Sequence, residues 1–274
     1  MMKLLVCALL VGSCTAVPLL TDVEPYITNG EPAEVGQFPY QAGLNVSFGN
    51  WSTWCGGTLI SHYWIITAGG GDNHCMDGAE SVTVYLGAIN IGDESEEGQE
   101  RILVEKSGII VHSNYMASTV VNDISLIRLP AFVGFTDRIR AASLPRRLNG
   151  QFPTYESVRA FASGWGRESD ASDSVSPVLR YVEMPIMPYS VCRVYWSGAV
   201  SEKMICMSTT SGKSTCHGDS GGPLVYKQGN SSYLIGSTSF GTSMGCQVGF
   251  PAVFTRISSY LDWILNHIIA HTKE

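Results

Sequence analysis

The sequence predicts an all-β fold of antiparallel barrels or sandwiches that ends in one helix. Short apolar runs alternate with turns rich in Gly, Asn and Pro along most of the chain. Charged residues make up only 15% of the 274 residues, whereas 29 are glycines and 10% are aromatic. This composition is typical of a loop-rich β protein rather than a helical or disordered one. A chain of this length can bury one large core or two modest ones.

Strand-like runs recur in both halves of the chain, and one amphipathic helix follows them. The clearest runs are residues 57–60, 63–67, 81–86, 101–104, 124–129, 233–237 and 252–256. Apolar residues recur at helical spacing from Ile257 to Ile268, with Asp262 and Asn266 off that stripe. We expect this helix to dock on the core, because its polar face is not basic. The segment around residues 141–155 has the composition of a connector between two β halves.

The first 16 residues have the pattern of a secretory signal peptide. Lys3 precedes an apolar run from Leu4 to Val11, and small residues end at Ala16, where cleavage is expected. The run is too short for a permanent anchor, and no later segment is apolar for long enough to span a bilayer. We therefore expect a secreted, extracellular protein with no membrane partner. The net charge of −7, with no basic segment to offset it, argues against nucleic acid as a partner.

Cysteine usage agrees with secretion. Removing the leader takes Cys7 and Cys14 from the eight cysteines and leaves an even number. Those that remain are Cys55, Cys75, Cys192, Cys206, Cys216 and Cys246. In a secreted chain they predict disulfide bonds, whose pairing the count alone leaves open. No Cys-x-x-Cys pair occurs, so we expect no metal site.

The run from Cys216 to Pro223 carries the clearest chemical signal. Ser220 lies between small residues and beside Asp219, so a bulky acyl substrate could reach its hydroxyl, and backbone N–H groups could hold an oxyanion. Such a serine needs a histidine base and an acid that orients the base. The α/β-hydrolase order of serine, acid and histidine fails, because the one Asp after Ser220 is Asp262 on the terminal helix. The order histidine, acid, serine fits His74, Asp123 and Ser220.

Five motifs in one order resemble those of the chymotrypsin-like serine proteases. They are Cys55–Ile60, His74–Cys75, Asn122–Ile124, Ser163–Gly166 and the run around Ser220. The chain is most similar to the arthropod digestive chymotrypsins and the serine collagenases called brachyurins, over a protease domain of residues 27–274. The resemblance implies two six-stranded antiparallel β-barrels, at about residues 27–140 and 150–256, and a helix at 257–270. The active site would lie between the barrels.

The resemblance also implies the catalytic roles. Asp123 would orient His74, which would take the proton of Ser220 as its oxygen attacks the peptide carbonyl. The N–H groups of Gly218 and Ser220 would stabilise the oxyanion. The implied protein is a digestive endopeptidase that needs no cofactor and acts as a monomer on protein or peptide substrates, with an activating protease and protein inhibitors as further partners. The implied disulfides are Cys55–Cys75, Cys192–Cys206 and Cys216–Cys246.

Activation follows from the same resemblance. Cleavage before Ile27 would free an α-amino group that pairs with Asp219, which makes residues 17–26 an activation peptide and the uncut chain a zymogen. Tyr26 stands before the cut in place of the usual Arg or Lys. This indicates activation by a chymotrypsin-like enzyme or by the protein itself. The cysteine that tethers this peptide in the family is missing, so the peptide should be lost after cleavage.

Specificity is implied by the pocket that receives the residue before the cut. Ser214 aligns with its base, where a trypsin-like enzyme carries Asp, so cleavage after apolar or aromatic residues is expected. Gly241 and Ala252 align with the walls, and Ala252 replaces a more usual Gly that would leave the pocket wider. Further substrate contacts are implied along the substrate backbone at Ser239, Phe240 and Gly241, and at the rim at His217.

An acidic cluster, residues 93–97, falls in the loop where some family members bind calcium. Ala88 stands where the first carboxylate ligand would be. We therefore interpret the cluster as a solvated loop without a metal ion.

The chain departs from the family directly before its expected base. Where the family reads Thr-Ala-Ala-His-Cys, this chain has four extra residues between Thr67 and His74. An error of about 1 Å in position can cost about a hundredfold in rate. Either the glycines bulge outward and the disulfide at Cys75 holds His74 in place, or the insertion displaces His74 and leaves a homologue that binds without cutting. A third interpretation is an error in the assembled coding sequence, since four residues keep the reading frame.

Overall fold

The computed structural model describes residues 27–70 and 74–271. The expected signal peptide, residues 1–16, and the expected activation peptide, residues 17–26, lie outside the described residues. The described chain forms two antiparallel β-sheets, a short helix α1 (Tyr189–Tyr195) and a terminal helix α2 (Leu261–His271). The predicted all-β class with a C-terminal helix is confirmed.

The first sheet contains seven strands. They are β2 (Gln41–Ser47), β3 (Ser52–Leu59), β4 (Trp64–Thr67), β5 (Ser81–Leu86), β6 (Glu100–Glu105), β7 (Ile109–Val111) and β8 (Ser125–Arg128). Their order is β6–β5–β2–β3–β4–β8–β7. Buried and half-buried residues alternate along β5, and its Val82, Val84 and Leu86 face the core, as expected for a strand with one buried face.

The second sheet contains the remaining strands. They are β1 (Glu31–Pro32), β9 (Arg159–Gly164), β10 (Arg180–Met187), β11 (Met204–Met207), β12 (Pro223–Gln228), β13 (Ser231–Phe240) and β14 (Ala252–Arg256). Because β9 pairs with both β10 and β12, strands β9 to β14 close into the six-stranded barrel that was predicted, and β1 adds to β10 at its edge.

The first sheet differs from the predicted closed barrel. In the described residues its pairings end at β6 on one side and β7 on the other. The physical reason is local. A single 3₁₀ turn, Lys106–Gly108, separates these two strands and redirects the chain, so β7 pairs with β8 instead of β6.

Apolar side chains form a core inside each sheet and a third core between the sheets. The third core includes Tyr40, Trp165, Leu234 and, from α2, Ile264. It holds the two sheets face to face, and the Gly56 N–H of β3 donates to the Ser220 carbonyl across this junction at 2.8 Å. None of the helices in the described chain combines the length and apolarity needed to cross a bilayer.

Candidate active site

Ser220 lies in the turn that leads into β12, at the junction of the sheets. Ser220 is 4% exposed, and its carbonyl accepts a hydrogen bond from the Gly56 N–H. Gly218 has φ of 95°, a conformation that strongly favours glycine, and it turns the backbone toward Ser220. Within the described part of the chain, the N–H groups of Gly218 and Ser220 donate to no acceptor. Both donors can therefore bind a substrate oxygen.

Asp219 is fully buried beside Ser220, the expected nucleophile. Its carboxylate accepts the N–H of Gly166 at 2.8 Å and the N–H of Cys216 at 2.9 Å. Burial raises the pKa of Asp219 to about 7, because desolvation disfavours the charge more than these two hydrogen bonds favour it. A nearby cation would therefore stabilise the charged form of this carboxylate.

Ile27 is also fully buried, in the core of the second sheet. The Thr28 hydroxyl donates to the Ser214 carbonyl at 2.9 Å, and the Asn29 amide donates to the Gly212 carbonyl at 2.8 Å. These bonds attach the start of the described chain to the loop that carries the expected pocket base. Ile27 has φ of 31°, which is strained for a β-branched residue within an uncut chain.

Asp123 precedes β8 and is 1% exposed. Its carboxylate accepts the Ser239 hydroxyl at 2.6 Å and the Gly70 N–H at 2.9 Å. A register shift between Thr238 and Phe240 marks a β-bulge in β13, which turns the Ser239 side chain toward this carboxylate. The Asp123 carboxylate also contributes, after desolvation, to raising the pKa of Tyr260 to about 12.

His74 lies at the exposed end of the insertion, with φ of 51°, directly before the disulfide at Cys75. The insertion is closed at its base, where the Cys75 N–H donates to the Gly70 carbonyl at 2.8 Å. Gly70, not His74, is the first residue after β4 whose N–H reaches Asp123. Ser239 donates to Asp123 and lines the same cavity as Ser220, whereas His74 is an exposed residue.

Tyr115 explains why the residues before the insertion are glycines. Its ring packs directly over Gly69 and Gly70, and a Cβ at Gly70 would collide with the Tyr115 hydroxyl. A histidine side chain at that backbone position would need the same space. Sequence reasoning missed Tyr115, since nothing in its local pattern connects it to residues 69 and 70.

A narrow cavity of about 30 Å³ lies next to Ser220. All of the predicted pocket residues line it, namely Ser214, His217, Ser239, Phe240, Gly241 and Ala252. Phe250 also lines it and was missed, although it lies between the predicted Cys246 and Ala252. The Trp196 ring supports Phe240 and Phe250 edge-on, at 5.0 Å from each.

Comparisons with known proteins identify the family of the chain. The sequence profile of the family described as Trypsin matches residues 27–264. "Serine protease 1" of Drosophila melanogaster is 42% identical over 90% of this chain and 88% of its own length. "Brachyurin" of Leptuca pugilator is 40% identical over 87% of this chain and 96% of its own length. The chain belongs to the trypsin family of serine proteases. A solved structure titled "HL collagenase structure at 1.7A resolution" matches this protease with a TM-score of 0.75 and 38% identity, over 88% of the present chain and 97% of the other.

Three disulfides brace the protease. They join Cys55 to Cys75, Cys192 to Cys206 and Cys216 to Cys246, the pairs that the resemblance implied. In the described residues the one group with metal-like clustering is Asp170 with Cys216 and Cys246. Its two sulfurs are bonded to each other, so they do not offer thiolate ligands.

The acidic loop of the protease is only partly solvated. Glu94 and Glu97 are exposed, as the sequence interpretation expects. Glu96 differs. Its side chain is 13% exposed, it pairs with Arg138 at 2.8 Å, and it accepts the N–H groups of Ile89 and Asn90. Arg138 comes from a distant loop that the local sequence pattern does not reveal, which is why the solvated interpretation is wrong for Glu96.

Proposed function

We propose that this trypsin-family protease is a secreted serine endopeptidase, made as a zymogen, that cleaves after apolar or aromatic residues. Ser220 attacks the peptide carbonyl, His74 takes the hydroxyl proton and gives it to the leaving amine, and Asp123 orients His74. Water then releases the acyl group from Ser220. The observation that carries the proposal is a buried nucleophile with two N–H donors that have no acceptor among the described residues, beside a narrow pocket.

The two donors supply the largest expected contribution to catalysis. The N–H groups of Gly218 and Ser220 would bind the oxygen of the tetrahedral intermediate as it gains charge. Donors held in place before the reaction need no reorganisation, and losing one typically costs about 2.7–4 kcal/mol in the transition state.

Activation by cleavage before Ile27 has two physical supports. The buried Asp219 carboxylate, with its raised pKa, lacks only a cation to be stable in its charged form. Cleavage would supply the Ile27 ammonium and would also remove the strained φ of that residue, since an N-terminal residue has no φ. N-terminal sequencing of secreted, active protein should give Ile27 as the first residue, and another first residue would contradict the mechanism.

The pocket supports apolar specificity. Ser214 at its base carries no charge for a lysine or arginine, and Phe240, Phe250 and Ala252 line its walls. The three disulfides fit an oxidising compartment and hence secretion.

His74 is exposed, and the backbone N–H that binds Asp123 belongs to Gly70. A binding homologue without activity is the alternative that this geometry raises. The relatives at about 40% identity carry the names of proteases, which supports the enzyme.

A fluorophosphonate probe separates the two candidates. Protein cut before Ile27 should be labelled, and Ser220→Ala should abolish the labelling. His74→Ala should abolish it as well, whereas His267→Ala, on the surface of α2, is the matched control and should leave it unchanged. Absence of labelling in correctly cut wild-type protein would reject the enzyme in favour of the binding homologue.

A further inference from the structure

The segment from Arg167 to Asp170 is hydrogen-bonded to two residues that line the expected substrate pocket. At one end the Arg167 N–H donates to the His217 carbonyl at 2.8 Å. At the other end the Asp170 carboxylate accepts the Cys246 N–H at 2.6 Å and the Gln247 N–H at 3.2 Å. His217 and Cys246 both line the pocket, so one short segment joins two of its lining residues.

The Asp170 carboxylate binds the backbone of Cys246, which lines the pocket, and of the adjoining Gln247. Across the described residues, the N–H groups of Cys246 and Gln247 have Asp170 as their acceptor. Gly245 carries no side chain, and a Cβ there would collide with the carboxylate. The disulfide to Cys216 also holds Cys246. Hydrogen bonds to a carboxylate are stronger than neutral ones, so Asp170 is well suited to fix the wall.

We propose that Asp170 is a specificity-determining, positioning residue that sets the width of the pocket through Cys246 and Gln247. The inference rests on the proposed function of this pocket. The cavity is narrow, so a small displacement of its wall changes which apolar side chain fits. One methylene in an apolar pocket is worth about 10–200-fold in discrimination.

The test compares three variants of activated protein. Asp170→Ala removes the carboxylate, Asp170→Asn keeps one acceptor oxygen, and Asp173→Ala is the matched control on the same exposed segment. Each is assayed with peptide anilides that carry Ala, Leu or Phe before the scissile bond. In Asp170→Ala we expect KM to rise about tenfold for the preferred residue, with kcat nearly unchanged, which is the size of one charge-assisted hydrogen bond. Asp170→Asn should fall between wild type and Asp170→Ala, and Asp173→Ala should match wild type.

A purely structural role of Asp170 would change kcat/KM by the same factor for all three peptides. If Asp170→Ala lowers kcat/KM by the same factor for Ala, Leu and Phe, or if its profile equals that of Asp173→Ala, the proposal is wrong.

A binding measurement keeps this test independent of catalysis. In the Ser220→Ala background the same peptide series stays uncut, and calorimetry gives its dissociation constants directly. In this background, Asp170→Ala should reduce the differences in dissociation constant between the Ala, Leu and Phe peptides. Unchanged differences would overturn the proposal. Failure of wild-type protein to react with the fluorophosphonate would reject the proposed enzyme while leaving this result interpretable.

Discussion

Removing residues 70–73 should raise the activity of the protease by about a hundredfold. The deletion joins Gly69 to His74, so His74 takes the backbone position of Gly70, whose N–H lies 2.9 Å from the Asp123 carboxylate. The ends of the insertion are already close, because the N–H groups of Met76 and Asp77 each donate to the Gly69 carbonyl at 2.8 Å. After the deletion these become i→i+3 and i→i+4 bonds, which is one turn of helix.

The magnitude follows from the position of the base. A catalytic group displaced by about 1 Å can lose about a hundredfold in rate, or roughly 2.7 kcal/mol of barrier. His74 is exposed in the full chain, whereas in the shortened chain its side chain would take the place of the Tyr115 hydroxyl over the Gly70 position. KM should change little, because residues of a separate segment, 214–252, build the pocket.

The assay is hydrolysis of a peptide anilide with Leu or Phe before the scissile bond, with the thermal midpoint measured in parallel. His74→Ala in the deletion background is the control and should remove the gain. If the deletion protein folds with an unchanged midpoint and its kcat/KM stays within about threefold of wild type, the insertion does not displace the base and the reasoning is refuted.

Three further predictions concern stability. Because burial raises the pKa of Asp219 from 3.8 to about 7, the folded, uncut chain keeps a proton that the unfolded chain loses. Its free energy of unfolding should therefore fall by up to roughly 4 kcal/mol between about pH 4 and pH 7, at about 1.36 kcal/mol per pKa unit. Cleavage before Ile27 should flatten this dependence of stability on pH. Equal pH profiles of urea unfolding before and after cleavage would contradict this prediction. Arg138→Ala should lower the free energy of unfolding in urea by about 1–3 kcal/mol, because Glu96 loses its cation. Calcium or a chelator should not shift the unfolding midpoint of the wild-type protein. A calcium-dependent midpoint would show that the Arg138–Glu96 pair does not replace an ion. Ser239→Ala should cost about 1–3 kcal/mol, because a buried carboxylate oxygen loses its 2.6 Å donor, and an unchanged unfolding curve would mean that water replaces it.

Local sequence patterns were sufficient to predict those elements and sites whose pattern lies within a few neighbouring residues. The alternation in β5, the apolar stripe of α2 and the small residues around Ser220 are each readable from adjacent positions. Helix α1 was not predicted, since its seven residues are too few for an amphipathic stripe to stand out. The three disulfide pairs came from the family resemblance, because a count of cysteines leaves their pairing open.

The sequence by itself determined the family and the presence of an anomaly before His74, and it predicted Ser220 as the nucleophile. Only the tertiary structure decided what the anomaly does locally, with Gly70 beside Asp123, Tyr115 over the glycines and His74 exposed. The Arg138–Glu96 pair and the contact of Asp170 with Cys246 likewise join segments far apart in the chain. The physical reason is common to all of them. Each depends on where folding brings distant segments together, and the residue types at either end carry no local mark of their partner.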